Sequence, residues 1–405
     1  MLYPLSRSRW FWLALVLLAA SCVARAAHAI DLDTHESEHY LIHTNLPVEE
    51  IRPLAQHMDQ MFEEYARRFR ELLGGRTDQT KSNIYLLATQ RDYQETLAQL
   101  GVNGNGSGGM FFVRNRQQGL ATWVNDRPRR QVIQILQHEG FHQFAYQHIG
   151  TELPVWVNEG LAVYFEQALL VNGRFRTGLA EAHRIVVVKS ALDDGYAFSL
   201  ESLMNMNGVT WRANLTDSER APLQYAQSWS ICYFLIHGDN GRYQRAFNRY
   251  LELVASGRSN ERAFETAFGT SDYDAMAERW RAFVEEDLEP DDYTTMVSRL
   301  EFLANGVVAA TAAGEDAFPE TFEDYQALLQ QAGFAMHNSL TGERITAQDE
   351  GVFTYNDSRG RTHAFEYELD NETGRPMISA NRCRPRARIE WKTDSERLSF
   401  RIVFD

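Results

Sequence analysis

Polar and apolar residues alternate over His39-Tyr40-Leu41-Ile42-His43, which predicts a strand. Pro47 and Glu49-Glu50 then open a run in which Ile51, Leu54, Met58, Met61, Phe62, Tyr65 and Phe69 recur at helical spacing, and Gly74-Gly75 ends it. Residues 84–87 predict a second strand and residues 93–100 a short helix. A cluster of Gly101, Gly104, Gly106, Gly108 and Gly109 follows and lacks the Gly-Lys-Ser/Thr of a phosphate loop. It leads into a third strand at 110–113, and 120–124 reads as a fourth. From Gln131 to about residue 288 the pattern is mostly helical, and Glu289-Pro290-Asp291-Asp292 marks a boundary. Beyond it, residues 352–355, 363–369, 387–392 and 398–404 alternate between Asn-, Asp-, Gly- and Ser-containing turns and predict a small antiparallel sheet.

The N-terminus reads as an export signal over residues 1–29. Arg7 and Arg9 precede an uncharged apolar run at 10–23, shorter than the roughly 20 residues a membrane span needs. Ala27-His28-Ala29 fits a cleavage site before Ile30. Two alternatives stay open: an uncleaved anchor, and a lipoprotein signal at Ala19-Ala20-Ser21-Cys22 that would anchor the chain through Cys22. All three place the body outside the cytoplasm, in the periplasm or beyond the cell, and cleavage of the signal would leave no membrane span. The charge agrees: 40 Lys+Arg against 55 Asp+Glu gives −15, which opposes nucleic-acid binding and docking on anionic lipid. Beyond Cys22, Cys232 and Cys383 could form one bridge, but Cys232 sits in an apolar run and reads as a core residue.

The chemistry concentrates in His138-Glu139-Gly140-Phe141-His142. On a helix, positions i and i+4 share a face, so both imidazoles can reach one ion. Glu139 stands beside that ion, where a base for the attacking water must sit. Catalytic zinc needs a third protein ligand. Glu159 and His148 are the candidates, 17 and six positions after His142. Glu159 is favoured, because Ala145 stands where a helix break toward His148 would call for glycine. Glu166, two turns after Glu159, is a candidate acceptor for a ligand imidazole, or else a solvated carboxylate.

The HExxH pattern, Trp156-Val157-Asn158-Glu159-Gly160 and Tyr225-Ala226-Gln227-Ser228-Trp229 resemble the gluzincin metallopeptidases. The likeness is to the bacterial peptidase MA-like group, including its branch of unknown function, and covers roughly residues 35–285. It implies an α+β fold: a zincin-like metallopeptidase domain at 30–288, with a small N-terminal mixed sheet and a helical half. A small C-terminal α/β region at 289–405 follows, with antiparallel strands from about 350. It implies one Zn²⁺ per chain on His138, His142 and Glu159, Glu139 as general base, and Tyr225 as donor to the oxyanion, or else a core tyrosine. Gly109, Met110 and Phe111 fall where gluzincins place an edge strand that pairs with substrate backbone. Aminopeptidases carry there a glutamate that this chain lacks. The expected activity is zinc-dependent hydrolysis of a peptide or protein in the bacterial envelope. The alternative is a non-catalytic zinc-binding or substrate-binding protein on the same scaffold, for which Glu139 would not be needed.

Overall fold

The computed structural model describes residues 30–404 except 76–79, 116, 151–152, 291–292, 315–316, 340–343, 358–359, 384–385 and 395–396. The export signal expected over residues 1–29, with Cys22, lies outside the described residues. Strands β1 (Asp33–Glu36) and β2 (Tyr40–Thr44) lead into helix α1 (Val48–Arg68). Then come β3 (Ser82–Leu87), α2 (Gln90–Gln99), β4 (Gly109–Arg114) and β5 (Gln117–Trp123). These form a five-stranded mixed sheet in the order β1-β2-β3-β5-β4. β2, β3 and β5 run parallel, while β1 and β4 close the two edges antiparallel to their neighbours.

The helical half opens with α3 (Arg129–Phe144), a π-helical turn (Ala145–Ile149) and α4 (Val155–Glu166). A short hairpin, β6 (Leu169–Val171) and β7 (Arg174–Arg176), interrupts it. It continues with α5 (Ala182–Asp193), α6 (Leu200–Met204), α7 (Gly208–Asn214) and α8 (Arg220–Gly241). α8 breaks at Gly238, with Asp239 and Asn240 at positive φ. α9 (Gln244–Ala255), α10 (Asn260–Phe268) and α11 (Tyr273–Glu286) complete this half. α1 carries Glu49 and Glu50 in its first turn and Arg67 and Arg68 in its last, which complements the helix dipole. Its apolar stripe of Ile51, Leu54, Met58, Met61, Phe62 and Tyr65 is buried against α3 and α4. Tyr65 and Phe69 meet Phe141, Phe144 and Phe165 ring to ring.

The remainder holds α12 (Tyr293–Ala312), α13 (Phe322–Gln331) and three further antiparallel units. β8 (Ala335–His337) pairs with β9 (Arg344–Thr346), and β10 (Thr354–Asn356) with β11 (Thr362–Ala364). β12 (Glu366–Leu369), β13 (Pro376–Ala380), β14 (Ala387–Asp394) and β15 (Arg397–Phe404) form a four-stranded sheet. The strand expected at 352–355 lies outside that sheet, in the separate β10–β11 pair, and β13 takes a place the alternation did not predict. Pro376 opens β13 directly after the turn at residues 370–375, and a strand-initial proline masks the pattern.

Buried apolar side chains gather mainly in two clusters. One spans β2, α1, α3, α4 and the helices through α11. The other is built on α12, α13 and the C-terminal strands, and it also takes in Leu169, Val171 and Leu179. The link is made firm by Asn172, at φ 51 in the β6–β7 turn. Its side-chain amide bonds both the N–H and the C=O of Ile402. Cys232 is buried and Cys383 is half-buried, with its Sγ 3.6 Å from the Asn356 carbonyl oxygen. No helix among the described residues is long and apolar enough to cross a membrane.

Candidate metal centre

Helices α3 and α4 meet with their polar edges toward one cleft. Gly160 permits α4 to lie directly on α8: a Cβ there would stand 2.5 Å from the Ser228 carbonyl oxygen and 2.7 Å from Cys232 Sγ. Gly109 does the same for β4 on α3, where a Cβ would meet Ile135 Cγ2 at 2.4 Å. These two close approaches set the width of the cleft.

Within it, His138, His142 and Glu159 each offer one ligand atom, and all three lie within 4.8 Å of one another. Glu159 Oε2 is 3.4 Å from His138 Nε2 and 3.5 Å from His142 Nε2. Ligands held at about 2.1 Å around a tetrahedral ion stand about 3.4 Å apart, so this spacing suits zinc. Neither contact is a formed hydrogen bond: Glu159 Oε2 is buried without a hydrogen-bond partner. A buried carboxylate oxygen left unpaired is costly unless a cation completes its surroundings.

The outer nitrogens are also accounted for. His138 Nδ1 lies 3.1 Å from Glu166 Oε2, and His142 Nδ1 lies 3.2 Å from Asn158 Oδ1. Both partners accept, so each Nδ1 carries a proton and each Nε2 is the nitrogen turned to the shared point, where it could bind an ion once deprotonated. Glu166 is fixed in turn by Arg184 Nη2 at 2.9 Å, and Arg184 is shared with Glu181. Gln137, next to His138, lies buried beneath the site. Its Nε2 donates to the carbonyls of Phe165, Glu166 and Ala168, and its Oε1 meets His57 Nε2 at 2.8 Å.

His148, the other candidate ligand, is not in this group. It packs with Phe62 and Phe144 on the π-helical turn. Glu139 Oε2 accepts a 2.7 Å hydrogen bond from the backbone N–H of Phe111 on β4, the free edge of the sheet.

A family model for the peptidase MA superfamily matches residues 66–286 of the 405. The chain belongs to the peptidase MA superfamily. No curated protein matches it. Peptidase MA members are typically zinc-dependent, and the His138, His142 and Glu159 group is where this chain could hold such an ion.

The electrostatics of this peptidase MA site favour a bound cation. Burial pulls His138 down, yet its polar contacts with Glu159 and Glu166 and the charge of Glu139 outweigh that and raise it to about 10. His142 is likewise raised: Glu159 overcomes the burial penalty. Burial pushes the Glu159 carboxyl up, but the two imidazoles hold it well below the usual carboxylate range. Without metal the site therefore collects protons, and an ion that enters must displace them.

Tyr225 opens on this cleft from α8. Its ring lies 6.4 Å from the His138 ring and edge-on to Trp211. Burial, with the charge of Glu159, raises its hydroxyl well above the ordinary value, so it stays a neutral O–H. Two hollows flank the ligand group. One of about 290 Å³ is lined by His138, Glu166, Arg184 and Tyr225. The other, about 240 Å³, is lined by His142, Phe111, Tyr146, Leu153 and Asn158. Asn158, Arg184, Gln137 and the Phe111 amide escaped sequence reasoning. Only Asn158 carried a signal, as the residue beside Glu159 and so able to face the same helix edge.

Proposed function

We propose that this chain is a zinc-dependent peptide-bond hydrolase of the bacterial envelope. The observation that carries the reading is the convergence of His138 Nε2, His142 Nε2 and Glu159 Oε2 at tetrahedral spacing, with both imidazole Nδ1 atoms already bonded elsewhere. Zinc, when bound, would supply Lewis acidity toward water and the scissile carbonyl. Glu139 takes the proton of the attacking water and passes it to the leaving amine. The Phe111 N–H holds Glu139 Oε2, which leaves Oε1 as the base. The neutral Tyr225 hydroxyl donates to the oxyanion as it develops. The free edge of β4 at Gly109, Met110 and Phe111 offers backbone groups to an extended peptide or protein substrate.

Residues 30–288 form the catalytic unit in this reading, and residues 289–405 an accessory unit. A signal over residues 1–29 directs export, with the mature chain starting near Ile30 or at a lipidated Cys22. The test is Glu139→Gln against wild type on a casein or peptide-library substrate, with zinc measured in both. The expected result is equal zinc and hydrolysis lower by on the order of a hundredfold or more. Wild-type turnover in the variant removes Glu139 from the mechanism, and a zinc-loaded wild type inert on every peptide pool overturns the peptidase reading.

A further inference from the structure

Away from the metal centre, the end of α1 and the turn after it face α9 across a groove of about 660 Å³. Five arginines line it, Arg67, Arg68, Arg70, Arg245 and Arg249, against two glutamates, Glu71 and Glu252. The concentration is notable in a chain whose net charge is −15. Two of the five are engaged within their own helices: Arg67 with Glu64 and Arg249 with Glu252. Arg68, Arg70 and Arg245 have no acidic partner among the described residues. Arg68 is half-buried, and its charge reaches the Tyr164 hydroxyl beneath. Arg68, Arg70 and Arg245 line one groove, so their positive charges add there and attract an anion.

We propose that this groove binds a compact ligand bearing phosphate groups. A guanidinium fork fits carboxylate and phosphate alike. Arginines on two facing elements favour phosphate, which brings more acceptor oxygens and more negative charge than a carboxylate to share between both walls. The limited volume and the acidity of the rest of the chain disfavour a long nucleic-acid strand, which would lie against repelling surface. A phosphorylated soluble molecule and a phospholipid headgroup share this chemistry. The proposal is independent of the hydrolase reading, since none of these residues touches the ligand group.

The experiment is calorimetric titration of the zinc-loaded full chain with fructose 1,6-bisphosphate at low ionic strength. Saturable binding is expected, weakening as salt is added. Arg68→Gln combined with Arg245→Gln should weaken it on the order of a hundredfold, roughly tenfold for each charged pair lost. Arg68→Lys with Arg245→Lys keeps the charge, loses the fork, and should weaken binding about tenfold; it decides the matter if the glutamine variant does not fold. Absence of saturable binding, or a folded glutamine variant that binds like wild type, overturns the proposal. Flotation with phosphatidylglycerol vesicles separates the sources. Flotation that the bisphosphate competes away and the variants lose assigns the headgroup. Soluble binding without flotation assigns a free phosphorylated molecule.

Discussion

Gln137→Met tests whether the site stands on the buried amide beneath it. Three carbonyls surround Gln137 Nε2, at 2.8 Å from Phe165, 2.9 Å from Glu166 and 3.2 Å from Ala168. Carbonyls only accept, so the amide nitrogen must face them and Oε1 must face His57, whose Nε2 therefore carries the proton. Methionine matches the length and removes both functions. The Phe165 and Ala168 carbonyls keep other donors, the Ala168 N–H and the Arg130 guanidinium. The His57 N–H loses its partner in a buried setting and the Glu166 carbonyl loses one in a part-buried setting. Each orphaned group costs about 1–3 kcal/mol, so the variant should lose about 2–6 kcal/mol. Urea unfolding followed by tryptophan fluorescence, on zinc-free and zinc-loaded protein, measures it. Adding His57→Leu removes one orphan, so the double variant should be more stable than Gln137→Met alone. A loss under about 1 kcal/mol, or strictly additive losses in the double variant, would refute the reasoning.

Other outcomes follow from the same geometry. Glu166→Ala should lower zinc affinity by about 10–100-fold in a competition assay, because it frees the His138 ring from its orienting acceptor; unchanged affinity would return Glu166 to a surface role. Tyr225→Phe should cut kcat by about 10²–10³ with little change in KM, and an unaltered kcat would return Tyr225 to the core. Burial lowers His57 to about 4. The unfolded chain, near the ordinary value of about 6.5, thus binds a proton that the folded chain refuses between about pH 6.5 and pH 4, and stability falls as pH drops through that window. Wild type should lose up to about 3 kcal/mol more than His57→Asn over it; parallel denaturation midpoints for the two proteins across that range would contradict the assignment.

What the residues disclosed in advance divides by the range of the interaction. The imidazole pair is a matter of one helix period, and Glu159 is marked by its own Asn-Glu-Gly turn of helix, so both were legible. The bonds from Arg184 to Glu166 and from the Phe111 amide to Glu139 join elements 18 and 28 residues apart and leave no local pattern. β1 went unread because Asp-Thr-His-Glu is polar and mostly exposed at a sheet edge. The β6–β7 hairpin had its Asn172-Gly173 turn in view, yet three-residue strands are too short to show alternation. α1 ends at Arg68, ahead of the Gly74-Gly75 stop, and the chain reaches the glycines through turns.

The pairing of Asn172 with Ile402 also bears on the order in which the molecule is completed. It closes a span of 230 residues, and synthesis delivers the two ends at opposite times. Until β15 forms, the Asn172 amide lacks its Ile402 partner, and Leu398 and Ile402 are missing from the cluster that buries Leu169 and Val171. Glu166, which orients His138, stands only a few residues before them. A product that stops before β15 would keep His138, His142 and Glu159 and lack the Ile402 contact that fixes the hairpin following Glu166.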